Sequence, residues 1–120
     1  MLLAANIVVG LIAALHIYIL VLEMFLWTTP RARRAFGTTA EFAQATKVLA
    51  ANQGLYNGFL AAGLIWALIA GPHGAGFAPA AFFLGCIAIA GLFGAATASR
   101  RILFIQTVPA LIALTALFLT

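Results

Sequence analysis

The chain has 120 residues, of which 66% are hydrophobic and only 7% charged, and its mean hydropathy is +1.19. A soluble domain has roughly 25% charged residues, so this composition excludes an ordinary water-facing surface and predicts a single all-α domain embedded in a bilayer. The formal charge of +4 does not indicate nucleic acid, since the few basic residues lie beside apolar runs, and the lone Cys86 excludes a disulfide framework or a multi-cysteine metal centre.

A first span is expected over residues 3–27, apolar apart from Asn6, His16 and Glu23, and closed by Thr28-Thr29-Pro30. About 25 residues at ~1.5 Å each cross a ~30 Å hydrocarbon core. The run has no basic leading region and exceeds the roughly 7–15 residues of a signal-peptide core, so it is read as a permanent span. Trp27 is expected at the headgroup level. The first loop carries Arg31, Arg33 and Arg34. Thr38 to Glu41 then reads as a capping box, with Thr38 as N-cap, opening one long helix. Lys47 lies just inside that helix, its apolar part covers 48–70, and Gly71-Pro72 stops it.

The second loop is glycine-rich and has no Lys or Arg, and its His73 is expected to be solvated. Pro79 suits the first turn of a third span over 79–97. Ser99-Arg100-Arg101 makes a basic turn into a fourth span over 102–119, at the short end of what can cross. The basic residues therefore alternate by loop. The positive-inside rule places loops one and three in the cytoplasm and both termini outside, giving a four-helix integral membrane bundle whose first partner is the lipid bilayer. Small residues spaced for close helix contact (Gly54 and Gly58, Gly10 and Ala14, Gly91 and Ala95, Gly94 and Ala98) point to structural packing and leave room for a homo-oligomer.

Polar groups inside hydrocarbon are costly, roughly 2.5–3.5 kcal/mol for a central charge on insertion scales, so their depth is informative. Counting from the cytoplasmic end, Glu23 lies ~6 Å deep and His16 ~16 Å deep, on one face. Asn52, Gln53, Tyr56 and Asn57 lie ~6–13 Å deep on the second span, and Gln106 ~6 Å deep on the fourth. Pro109 leaves the carbonyl of Ile105 without its helical donor. These residues predict a polar pocket in the cytoplasmic half, holding a small molecule or lipid fragment. The competing structural reading lets Asn and Gln simply bond helices together. No HExxH, Walker or nucleophile-elbow motif is present, no metal site is expected, and no cofactor is assigned.

The segments His16-Ile17-Tyr18-Ile19, Leu22 to Trp27 and Ala51-Asn52-Gln53-Gly54-Leu55-Tyr56-Asn57-Gly58-Phe59 resemble the bacterial membrane-protein family called domain of unknown function 1304, over essentially the whole chain. The resemblance implies a multi-pass protein of the bacterial inner membrane and carries no activity. The architecture is also similar to membrane-associated eicosanoid and glutathione metabolism proteins. That likeness implies trimers with a glutathione site between subunits, in which Asn52 stands for the family's asparagine and Lys47 for its arginine. The family's glutamate has no counterpart in residues 53–57. A glutathione-dependent enzyme, with Arg31, Arg33, Arg34 and Lys47 attracting carboxylates, is thus one alternative function. An oligomeric ion or proton-coupled transporter using His16 and Glu23 is another.

Overall fold

A computed structural model describes residues 2–120, the side chain of Leu2 excepted. The described chain is helical with no strand. In order it contains α1 (Leu2–Met24), α2 (Pro30–Phe36), α3 (Ala40–Ala45), α4 (Lys47–Ala70), α5 (Phe77–Thr97) and α6 (Val108–Leu119), with π-type turns over Gly71–Ala75 and Leu103–Thr107. Three stretches are long and apolar enough to cross a membrane: Leu3–Met24, Lys47–Ala75 and Phe77–Thr97. The expected fourth span corresponds to a shorter apolar stretch, Leu103–Leu119. At ~1.5 Å per residue it reaches only ~25 Å. The chain divides into two compact units, one running up to Ala13 and resuming over Ala62–Thr120, the other Ala14–Ala61.

In the unit Ala14–Ala61, α1 gives way to a tight connection in which the Val21 carbonyl accepts from both Phe25 N–H (3.0 Å) and Leu26 N–H (3.2 Å). The Thr29 hydroxyl donates to the Leu26 carbonyl (2.6 Å) and accepts from Ala32 N–H (3.4 Å), so it closes one turn and caps α2, where Pro30 needs no donor partner. Helix α2 ends at Gly37, whose φ of +67° and ψ of 38° lie in the left-handed region that glycine adopts without penalty.

The N-cap of α3 is Thr39, whose hydroxyl accepts from Phe42 N–H at 3.1 Å. The N-cap expected at Thr38 is therefore displaced by one residue, and with Phe42 rather than Glu41 at the third helical position no capping box forms. The single long helix expected from Glu41 onward is also interrupted. Thr46, at φ −106° and ψ 10°, leaves helical geometry between α3 and α4. The cause is local: the Thr46 hydroxyl donates back to the Phe42 carbonyl (2.7 Å) and accepts from the Trp27 indole N–H (3.0 Å). Back-bonding by Thr bends a helix, and here it does so with the ladder bond from Thr46 N–H to the Phe42 carbonyl (3.0 Å) kept. Trp27 also packs on Phe36, with ring centroids 4.9 Å apart, so this side chain clamps the connection to the start of α4.

In the other unit, α4 ends at Ala70, Gly71 adopts φ +94°, and Pro72 follows. His73 is half-buried rather than solvated. Its Nε2 is hydrogen-bonded to the Thr120 hydroxyl, which itself donates to the Ala116 carbonyl at 2.7 Å. Helices α5 and α6 meet through small residues. A Cβ at Gly91 would lie 2.1 Å from Thr107 Oγ1 and 2.7 Å from Thr107 N, and the buried Thr107 hydroxyl donates to the Ala88 carbonyl at 2.9 Å. Leu84 and Ile87 of α5 and Ala110, Ala113 and Leu117 of α6 are also buried. The π-type turn over Leu103–Thr107 explains how Pro109 is tolerated. Val108 N–H reaches the Leu103 carbonyl, widening the backbone just ahead of a residue that lacks a donor.

Candidate functional site

Two helices of the unit Ala14–Ala61 approach closely because α4 has glycine where they touch. A Cβ at Gly54 would lie 2.6 Å from Met24 Cγ, 3.1 Å from Glu23 Cβ and 3.2 Å from the Leu20 carbonyl oxygen. At Gly58 the corresponding atom would lie 2.6 Å from Leu20 Cδ1. This spacing brings Glu23 of α1 against Asn57 of α4. Asn57 Nδ2 donates to Glu23 Oε1 at 2.6 Å and to the Gln53 carbonyl at 3.1 Å, so both of its N–H groups are directed. The second carboxyl oxygen of Glu23 has no hydrogen-bond partner among the described residues.

Of the remaining expected residues in this unit, His16 is fully buried and has a partner. Asn52, Gln53 and Tyr56 are exposed along α4, with the Tyr56 ring 6.2 Å from that of Phe59. Gln106 belongs to the other unit, where it sits half-buried and partnered in the π-type turn before α6. The structure therefore joins Glu23 to Asn57 by a direct bond and leaves a polar row on α4 beside them.

The basic residues separate into different settings. Arg31 is exposed, and its Nη1 donates to the Tyr18 hydroxyl at 3.4 Å, a contact that pushes the guanidinium pKa up. Lys47 is exposed at the start of α4, and Arg100 and Arg101 are exposed at the turn after α5. Arg33 and Arg34 line a concavity of about 240 Å³ together with Pro30, Gly37 and Thr38. Gly37 was not among the residues expected at a site, and Thr38 was expected only as an N-cap. A short basic helix followed by Gly-Thr was the available signal, because a left-handed C-cap turns the next residue back over the last helical turn. A second concavity, about 450 Å³, is an apolar groove along α6 lined by Val108, Leu111, Ile112, Thr115, Ala116 and Leu119. Neither concavity is lined by the Glu23–Asn57 pair. Among the described residues, no group of three or more His, Cys, Asp or Glu side chains is placed to hold a metal ion.

No curated protein and no solved structure matches the chain. A family profile does, covering residues 10–118 and so nearly all of α1 to α6, including the Asn52–Asn57 row and its Glu23 partner. On that match the chain belongs to the family described as Protein of unknown function (DUF1304).

Proposed function

We propose that the protein spans the membrane four times with both termini outside and binds a small molecule or lipid fragment at a polar site centred on Glu23 and Asn57. The observation that carries this reading is the half-used carboxyl group: Oε1 accepts from Asn57 Nδ2 at 2.6 Å, while Oε2 has no partner among the described residues. A polar group within an apolar span is expensive unless its capacity is used. A site that exists only to join two helices needs one bond. One that keeps an acceptor in reserve suits a ligand carrying an N–H or O–H donor. The exposed Asn52, Gln53 and Tyr56 on the same helix supply further donors and acceptors for its polar end. The exposed aromatic and aliphatic side chains nearby, Leu55 and Phe59, suit its apolar end.

The experiment is purification in a mild neutral detergent followed by native mass spectrometry and chemical identification of what the protein retains. The wild-type protein is expected to carry a small molecule. Glu23→Gln and Asn57→Leu, checked for folding by circular dichroism, are expected to lose it about tenfold, the effect of ~1.4 kcal/mol. A wild-type protein that retains nothing, or folded variants that retain the same molecule at the same occupancy, would overturn the reading.

A further inference from the structure

The connection between α1 and α3 contains a second site, with no share in the Glu23–Asn57 pair. The Arg33 carbonyl accepts from Gly37 N–H and also from Thr38 N–H at 3.0 Å, so the chain doubles back over the end of α2. This closure forms the concavity of about 240 Å³ lined by Pro30, Arg33, Arg34, Gly37 and Thr38. One water occupies ~30 Å³ of liquid, so the space holds a polyatomic group. Two atoms of the lining residues are shielded from solvent and have no hydrogen-bond partner: Arg33 Nε and Thr38 Oγ1. Both atoms are closed to water where they lie, so a group in the concavity bonds to them once the side chains turn toward it. That bond removes the desolvation cost of an unmet guanidinium N–H and an unmet hydroxyl. The lining contains no acidic side chain, and two positive charges face the space without a counter-charge.

We propose that Arg33, Arg34 and Thr38, gathered around the left-handed Gly37, form a binding site for a phosphate group. The planar guanidinium fork matches the oxygens of a phosphate, and the Thr38 hydroxyl donates to a third oxygen. A carboxylate also fits the fork, but its single charge and two coplanar oxygens match two arginines and a hydroxyl less well than the tetrahedral oxygens of a phosphate. The phosphate is either the headgroup of an anionic lipid or a free phosphate species. Exposed Phe36 and Phe42 on α2 and α3 border the connection, and such aromatic side chains beside a basic segment favour the lipid source.

The test uses the full chain in nanodiscs of neutral phosphatidylcholine, with two probes: inorganic phosphate in solution, and phosphatidylglycerol doped into the disc. Binding is read by native mass spectrometry after release and by the shift in thermal unfolding. The expected result is selective retention of phosphatidylglycerol, weakened about tenfold by Arg33→Gln and by Thr38→Val, and unchanged in Arg100→Gln. Stabilisation by inorganic phosphate that the same two variants abolish also supports the site and assigns it to a free species. If Arg33→Gln does not fold, Thr38→Val decides, since it removes the hydroxyl at constant shape. Retention that is equal in Thr38→Val and wild type, or that falls as much in Arg100→Gln as in Thr38→Val, overturns the proposal, as does an absence of response to both probes.

Discussion

Replacing Gly54 by alanine adds one methyl group where two helices touch, and the structure sets the consequence. The new Cβ would meet Met24 Cγ at 2.6 Å, Glu23 Cβ at 3.1 Å and the Leu20 carbonyl oxygen at 3.2 Å. Carbon atoms rest at about 3.5–4.0 Å. Two of the three obstacles, a Cβ and a main-chain oxygen, cannot rotate away, so the helices must separate by several tenths of an ångström or more. The Asn57–Glu23 bond starts at 2.6 Å and weakens as it lengthens toward about 3.2 Å. Overpacking costs about 1–3 kcal/mol, while alanine regains up to about 1 kcal/mol of helix preference. The net expectation for Gly54→Ala is a loss of about 1–2 kcal/mol, a fivefold to thirtyfold change in the folded ratio. Gly58→Ala serves as the internal comparison. Its only close obstacle is Leu20 Cδ1 at 2.6 Å, a terminal methyl that can move for about 0.5–1.5 kcal/mol, which the helix preference of alanine largely offsets. Reversible unfolding by dodecyl sulfate in mixed micelles, followed by circular dichroism, measures both. Should Gly54→Ala match or exceed wild-type stability, or Gly58→Ala lose more than Gly54→Ala, the close-approach argument is refuted.

A double-mutant cycle of Glu23→Met and Asn57→Leu is expected to give a coupling energy of about 0.6–1.7 kcal/mol, the range for hydrogen bonds between membrane helices; strict additivity would show that the bond contributes nothing. Gly91→Ala is expected to cost about 2–3 kcal/mol, because its Cβ would fall 2.7 Å from the main-chain nitrogen of Thr107 and displace the hydroxyl that donates to Ala88; the same micelle titration measures it. Thr39→Ala should lower stability by about 1 kcal/mol through loss of the α3 cap, whereas Thr38→Ala, measured without phosphate, should change it by less than about 0.5 kcal/mol. A reversed order would restore the cap to Thr38. Gly37→Ala is expected to cost about 1–2 kcal/mol without any steric clash, since nothing lies within 4 Å of its added Cβ and the left-handed φ of +67° alone opposes the change.

The polar pocket reading depended on residues placed at one depth, and depth is legible in a sequence because helices rise uniformly. Contact is not. Glu23 and Asn57 stand 34 positions apart, and nothing in the spacing says which of Asn52, Gln53, Tyr56 or Asn57 turns toward α1. The glycine at position 54 hinted at the answer, since it marks the strip of α4 that a neighbour can approach. Gly37 was not singled out and Thr38 was read only as an N-cap for a related reason: a turn that folds the chain back over the end of a helix depends on one left-handed residue, and many Gly-Thr pairs do no such thing.

What the sequence determined alone was the apolar helical character, the run lengths, the basic connections and the family, all properties of residues taken singly or in a row, where hydrophobicity and helical rise suffice. The tertiary structure decided the break at Thr46, the bond between Glu23 and Asn57, and the π-type turn that shortens the last apolar helix. The first two turn on contacts between groups far apart in the chain, and the third is a local widening of the backbone ahead of Pro109. Thr46 bends because Trp27 and Phe42 converge on its hydroxyl, and Asn57 finds Glu23 because no side chain at Gly54 holds the helices apart.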